Sequence, residues 1–142
     1  MPGPTVNWSA MALHPTALVV RGGQTRDVED LRQKVDIAIE DGEGACLCVF
    51  ADVDKSDEGP GMTLRDLCHE SGIPHGQVQL STAAVLAEAG FNLELDTSGE
   101  QARTHHYVTL REPVEQSQLL QFIECFDEPV PNPVPKVQRS GR

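Results

Sequence analysis

Residues 45–51, Ala-Cys-Leu-Cys-Val-Phe-Ala, form an unbroken apolar run. A strand with one face in water alternates apolar and polar side chains, so a run without alternation predicts a strand covered on both faces. The chain must then supply a covering layer on each side, and amphipathic helices are the economical way to do it. The run is far too short to span a membrane, and no other stretch approaches the roughly 18 apolar residues that a spanning helix needs.

The flanking sequence supplies those layers. Residues 16–20 read as a second, shorter buried strand halted by Gly22 and Gly23. Val28, Leu31, Val35, Ala38 and Ile39 then share one helical face, with Asp27, Glu29 and Asp30 loading the first turn. Strand, helix, strand in this order predicts a right-handed crossover that places the two strands parallel. Further on, Thr63 and Asp66 have capping-box spacing before Leu64, Leu67 and Cys68, and Ser71-Gly72 ends that helix. Phe91, Leu93 and Leu95 alternate with polar residues, and after Ser98-Gly99 so do His106, Val108 and Leu110, the pattern of a hairpin. Leu119, Phe122, Ile123 and Phe126 mark a last amphipathic helix.

The fold class expected is therefore α/β or α+β, a single domain over residues 13–128. It comprises a strand-helix-strand unit, then helix-turn-helix plus β-hairpin, then a C-terminal helix. Residues 1–12 read as a flexible arm. Residues 129–142 carry four prolines and no acid, and read as a disordered basic tail of polyproline II character.

Charge narrows the function classes. The 142 residues hold 22 acidic and 11 basic side chains, for a net charge of −11, and residues 27–70 alone hold 13 acidic against 4 basic. Such a surface repels phosphate backbones, which disfavours nucleic acid as a partner. Nothing near the N-terminus has the charged and apolar regions of a secretory signal. All four cysteines fall on apolar stretches and are expected to be buried, reduced thiols in a cytoplasmic protein, with no membrane association.

Residues 62–111 follow the order helix, turn, helix, hairpin. Ser71-Gly72-Ile73, then Leu86, Ala89, Gly90 and Phe91, then Tyr107 and Leu110 stand where a bacterial winged helix-turn-helix regulator has its Gly-Ile step, the end of its recognition helix and its closing wing. This segment thus resembles that family, and the resemblance implies a DNA-binding regulator. Residues 75–89, which would hold the recognition helix, contain no Lys or Arg; Gln77, Gln79, Ser81 and Thr82 supply only neutral donors there. The same residues also parse as a strand over 78–81 and a short helix over 82–89, which gives a mixed sheet and no winged helix.

Three further sites invite chemistry. Asp52 and Asp54 follow the apolar strand, where open α/β sheets place their sites, and the pair resembles the first motif of haloacid-dehalogenase-type phosphotransferases. That resemblance implies Asp52 as nucleophile, Asp54 as general acid and a divalent metal; a solvated acidic loop is the plainer reading. Cys68, His69, His75, His105 and His106 lack metal-site spacing, so no metal and no cofactor are expected. Arg21, beside two glycines at a strand end, can hold an anion, with a turn arginine the plainer reading. No catalytic set is complete. The leading expectation is a non-enzymatic regulatory or adaptor protein acting through protein-protein interaction. Lys136, Arg139 and Arg142 in the tail, and Gln77, Gln79 and Arg103 in the body, are its candidate partner contacts. The winged-helix regulator and the phosphotransferase stand as the alternatives.

Overall fold

The computed structural model describes residues 13–23, 27–99 and 101–139. Among the described residues six strands and four helices form one domain, in the order β1 (Leu18–Gly22), α1 (Val28–Glu40), β2 (Cys46–Ala51), α2 (Leu64–Ser71), β3 (Gln77–Thr82), α3 (Ala83–Glu88), β4 (Asn92–Leu95), β5 (His105–Thr109), α4 (Gln116–Glu124) and β6 (Val130–Pro131). A single turn of 3-10 helix, Lys136–Gln138, follows. The strands make one sheet in the order β4-β5-β2-β1-β3-β6, and every neighbouring pair is antiparallel. Helices and an antiparallel sheet in one small domain fit the expected class.

Local signals place the helices. Asp27 caps α1 by accepting the Glu29 N–H at 2.9 Å. Thr63 and Asp66 form the reciprocal capping box of α2, and Gly72 ends that helix in the left-handed region at φ 69°. One face of the sheet carries Val19, Leu47, Val49, Leu93 and Val108. Over it lie Leu31 and Val35 of α1, Leu86 of α3, and Leu119 and Phe122 of α4. The opposite face carries Val20 and Val78, covered by Leu67 and Cys68 of α2, Ile73 and Val134. That cover reaches β1 and β3 but stops short of the far side of the sheet, where Cys48 is exposed.

Four sequence expectations need correction. β1 and β2 are antiparallel, with Val19 opposite Ala51 and Val20 opposite Phe50; an amphipathic helix covers a sheet whichever way the next strand runs, and no local signal encodes that direction. Residues 77–82 are strand β3 and not part of a recognition helix, so 62–111 is no winged helix. The alternative parse, strand then short helix, is the one observed, although the resulting sheet is wholly antiparallel and not mixed. Cys48 is exposed and Cys125 half-buried, so only Cys46 and Cys68 fit the expectation of buried thiols; all four are free.

The fourth correction concerns the proline-rich tail. Residues 129–139 are ordered against the domain: Val130 pairs with Val78, and Pro131 with Gln77, at the sheet edge. Prolines fit there because an outer edge strand needs no donor on its open side. Asn132 is buried; its side-chain amide donates to the carbonyls of Ile73 (3.2 Å) and His75 (2.9 Å), and its oxygen accepts the Val134 N–H. Val134 is buried beside Ile73. Composition predicted disorder because it counts few apolar residues, whereas a single well-placed valine and one asparagine suffice when a sheet edge awaits them. The arm over 1–12 and residues 140–142 lie outside the described residues.

Candidate functional site

Asp52 is not a solvated loop residue. It is buried at the end of β2, where one carboxylate oxygen accepts the Asp54 N–H at 2.9 Å and the other accepts the Met62 N–H at 2.8 Å. The carboxylate thus ties both ends of the acidic loop to the sheet. Gly61 sits at φ 77° against this carboxylate, where a side chain would collide with it. Both Asp52 oxygens are committed to backbone donors, a structural use of the group and a poor state for a nucleophile.

Asp54, by contrast, is exposed and paired. Arg103 donates to both Asp54 oxygens at 2.9 and 3.0 Å and also clamps Glu70, binding loop, helix α2 and the β4–β5 connection together. The guanidinium, first by its hydrogen bonds, holds the Asp54 carboxyl below the usual carboxylate range. Arg103 is thus paired within its own chain, with its side chain still half exposed.

The remaining partner candidates divide. Gln79 is buried and donates to the Asp127 carbonyl at 3.4 Å, and Gln77 is half-buried in β3 opposite Pro131. Arg139 donates to the Val134 carbonyl. Of the three tail cations, Lys136 is exposed, while Arg142 lies outside the described residues. Among the described residues Lys136 and Arg139 lie at one 3-10 turn, while Gln77 and Gln79 belong to β3 and Arg103 to the β4–β5 connection.

His105 and His106, adjacent in β5, are both buried. His105 and Asp96 form a buried pair, Nδ1 to Oδ2 at 2.9 Å, with side-chain exposures of 6% and 5%. His106 donates through Nδ1 to the Thr104 carbonyl at 2.8 Å, and among the described residues its Nε2 has no partner; burial pushes its pKa down. Among the described residues no three His, Cys, Asp or Glu side chains are grouped so as to hold a metal ion.

Two concavities flank residues 43–48. On the open sheet face, Glu94, Tyr107 and Cys48 stand in register across β4, β5 and β2. Beside them a groove of about 480 Å³ is lined by Glu43, Glu94, Glu112, Cys46 and Thr109. The field there is negative. Burial, then Cys48, Glu43 and Glu94, raise the Cys46 thiol to about 11, and burial followed by Asp96 raises the Tyr107 hydroxyl. Thiols held this far above neutrality are poor nucleophiles. The second concavity, of about 260 Å³, opens where β1 and β2 part after Val20 and Phe50, and the buried Arg21 lines it together with Cys46 and Cys48.

Sequence reasoning missed both concavities because each depends on which strands become neighbours. The chain matches no protein-family model, no curated protein and no solved structure. Among the described residues no helix is long and apolar enough to cross a membrane.

Proposed function

We propose that this chain is a non-enzymatic regulatory or adaptor protein, and that it takes a cationic segment of a partner protein in the acidic groove on the open end of its sheet. The observation that carries the reading is the groove itself, three carboxylates beside an uncovered strip of sheet. Among the described residues β4 pairs with no strand on its outer side, and it adds the 43% exposed Leu95. An extended segment with lysine or arginine at alternate positions meets both features, since main-chain pairing supplies affinity and Glu43, Glu94 and Glu112 supply selectivity. The enzymatic alternative loses support from the commitment of Asp52 to backbone donors and of Asp54 to Arg103.

The test is fluorescence anisotropy with a labelled peptide of alternating lysine and valine, beside one with glutamate replacing lysine. The basic peptide binds, weakens as salt is raised, and loses about tenfold or more in affinity when Glu43, Glu94 and Glu112 are all changed to Gln. Equal affinity for both peptides, or binding indifferent to the triple change, overturns the proposal.

A further inference from the structure

Arg21 is the least economical residue in the domain. It is 8% exposed, yet among the described residues its guanidinium meets no carboxylate and no hydrogen-bond acceptor; its one partner is the Phe122 ring, 5.2 Å from the guanidinium carbon. A cation–π contact offsets only part of the cost of burying a charge. Burial accordingly lowers the Arg21 pKa to about 10, with Cys48 opposing that shift.

The guanidinium lines a cavity and not a sealed core. β1 continues past Val20 beside β3, through Arg21 opposite Gln79 and Gly22 opposite Val78, while its pairing with β2 ends at Val20 and Phe50. The fork between the strands forms the floor, and Ile37 and Ala38 of α1 with Leu47 of β2 give it an apolar wall. Its mouth is polar: Lys34, Asp41 and Glu43 are exposed there. At about 260 Å³ the space is below the roughly 300–1,000 Å³ of sites for drug-sized ligands.

This arrangement orders charge by depth: a buried cation inside, and outside it a rim of two carboxylates and the Lys34 ammonium, net negative by one charge. A planar carboxylate answers the buried guanidinium with two parallel hydrogen bonds. A purely anionic ligand meets a net negative rim on entry, whereas a molecule with a cationic end leaves that end beside Asp41 and Glu43. We propose that the fork between β1 and β2 binds a small zwitterion, a carboxylate and an ammonium in one molecule as in a free α-amino acid, with Arg21 holding the carboxylate and Asp41 and Glu43 receiving the ammonium. The apolar wall favours a short aliphatic side chain. This site is separate from the groove proposed for the partner segment, although Glu43 and Cys46 border both.

The experiment is an NMR titration of the isotopically labelled full chain with a panel of small L-α-amino acids including leucine, beside isocaproate and isoamylamine, which keep leucine's carbon skeleton but lack its amine or its carboxylate. A member of the panel moves the amide signals of Arg21 and residues 46–48 with Kd below about 1 mM, and the two truncated analogues bind at least about tenfold more weakly than leucine or the best amino acid. Arg21→Met removes the response. It also removes an unpaired buried charge at similar volume, so this variant is expected to fold. A second variant, Asp41→Asn with Glu43→Gln, changes only exposed residues and brings isocaproate up towards the amino acid. Silence from the whole panel, isocaproate binding as tightly as the amino acids, or a response that survives Arg21→Met in the folded variant each overturns the proposal.

Discussion

Asp52 shows how one side chain can be misplaced by its neighbours. It sits in a stretch of acids and glycines that reads as water-facing, yet its carboxylate is withdrawn to receive two backbone donors, while Asp54, two residues on, stays outside in an ion pair. The two aspartates should therefore respond differently to the same change. Asp52→Asn turns one acceptor into a donor facing an N–H, and urea denaturation should show a loss of about 1–3 kcal/mol. Asp54→Asn, at an exposed ion pair, should leave the denaturation midpoint nearly unchanged. Equal stability of the two variants would contradict the structural role given to Asp52. His106 sets a pH dependence of its own. Its folded-state pKa lies below the ordinary histidine value because the neutral ring is buried, with Nε2 unpartnered among the described residues. The unfolded chain then takes the proton first, so stability is complete above about pH 6.5 and falls as the pH drops through that value towards the folded-state pKa. The carboxyls of Asp54 and Asp96, held below the ordinary range, lose their contribution only in a more acidic window, below about pH 4. Melting temperatures at pH 7.5 and 5.5 should differ in the parent chain and converge in His106→Leu. A parent chain whose melting is flat across that interval removes the argument.

At the scale of elements, the sheet's two edges are treated in opposite ways. The β6 edge is closed by Pro129, Pro131, Pro133 and Pro135, and by the Asn132 bonds that fasten the segment to the β3 turn. The β4 edge carries no proline and leaves Leu95 exposed. This asymmetry gives the proline-rich segment a structural duty, and its removal should cost stability. Deleting residues 129–142 strips the cover from Val78 and Ile73, removes the buried Val134 and opens the β3 edge; the loss should be roughly 3 kcal/mol or more, on the order of 10 °C in melting temperature. Asn132→Ala should reproduce a smaller part of the effect without shortening the chain. Unchanged melting of the truncated protein, followed by calorimetry, would show that the segment is dispensable. The helices themselves were legible because their signals are local: a cap, a stripe, a glycine stop. Asp27, the Thr63–Asp66 box and Gly72 each act within a few residues of where they stand. The strand partners were not legible, since Val19 opposite Ala51 and Leu47 opposite Val108 are decided by the whole sheet. The candidate sites suffered most from this. Arg21 was visible as a cation beside two glycines, but its solitude follows from the fork between two strands, and the acidic groove assembles Glu43, Glu94 and Glu112 from three separate segments.

For the whole molecule, the strand order has a temporal side. β2 lies between β5 and β1, so the most apolar strand gains one neighbour early, from residues 18–22, and the other only when residues 105–109 are available. Helix α4, which closes the core over Leu31 and Val35, comes later still, and the segment sealing the β3 edge comes after that. On a ribosome the chain emerges from its N-terminal end, so the run over 45–51 must leave the exit tunnel and wait through more than a third of the chain before its second flank can be paired. The high density of negative charge over residues 27–70, which surrounds that run in sequence, acts in this interval as well as in the finished fold. Like charge flanking the run opposes close contact between two such segments while their most apolar strand is still uncovered.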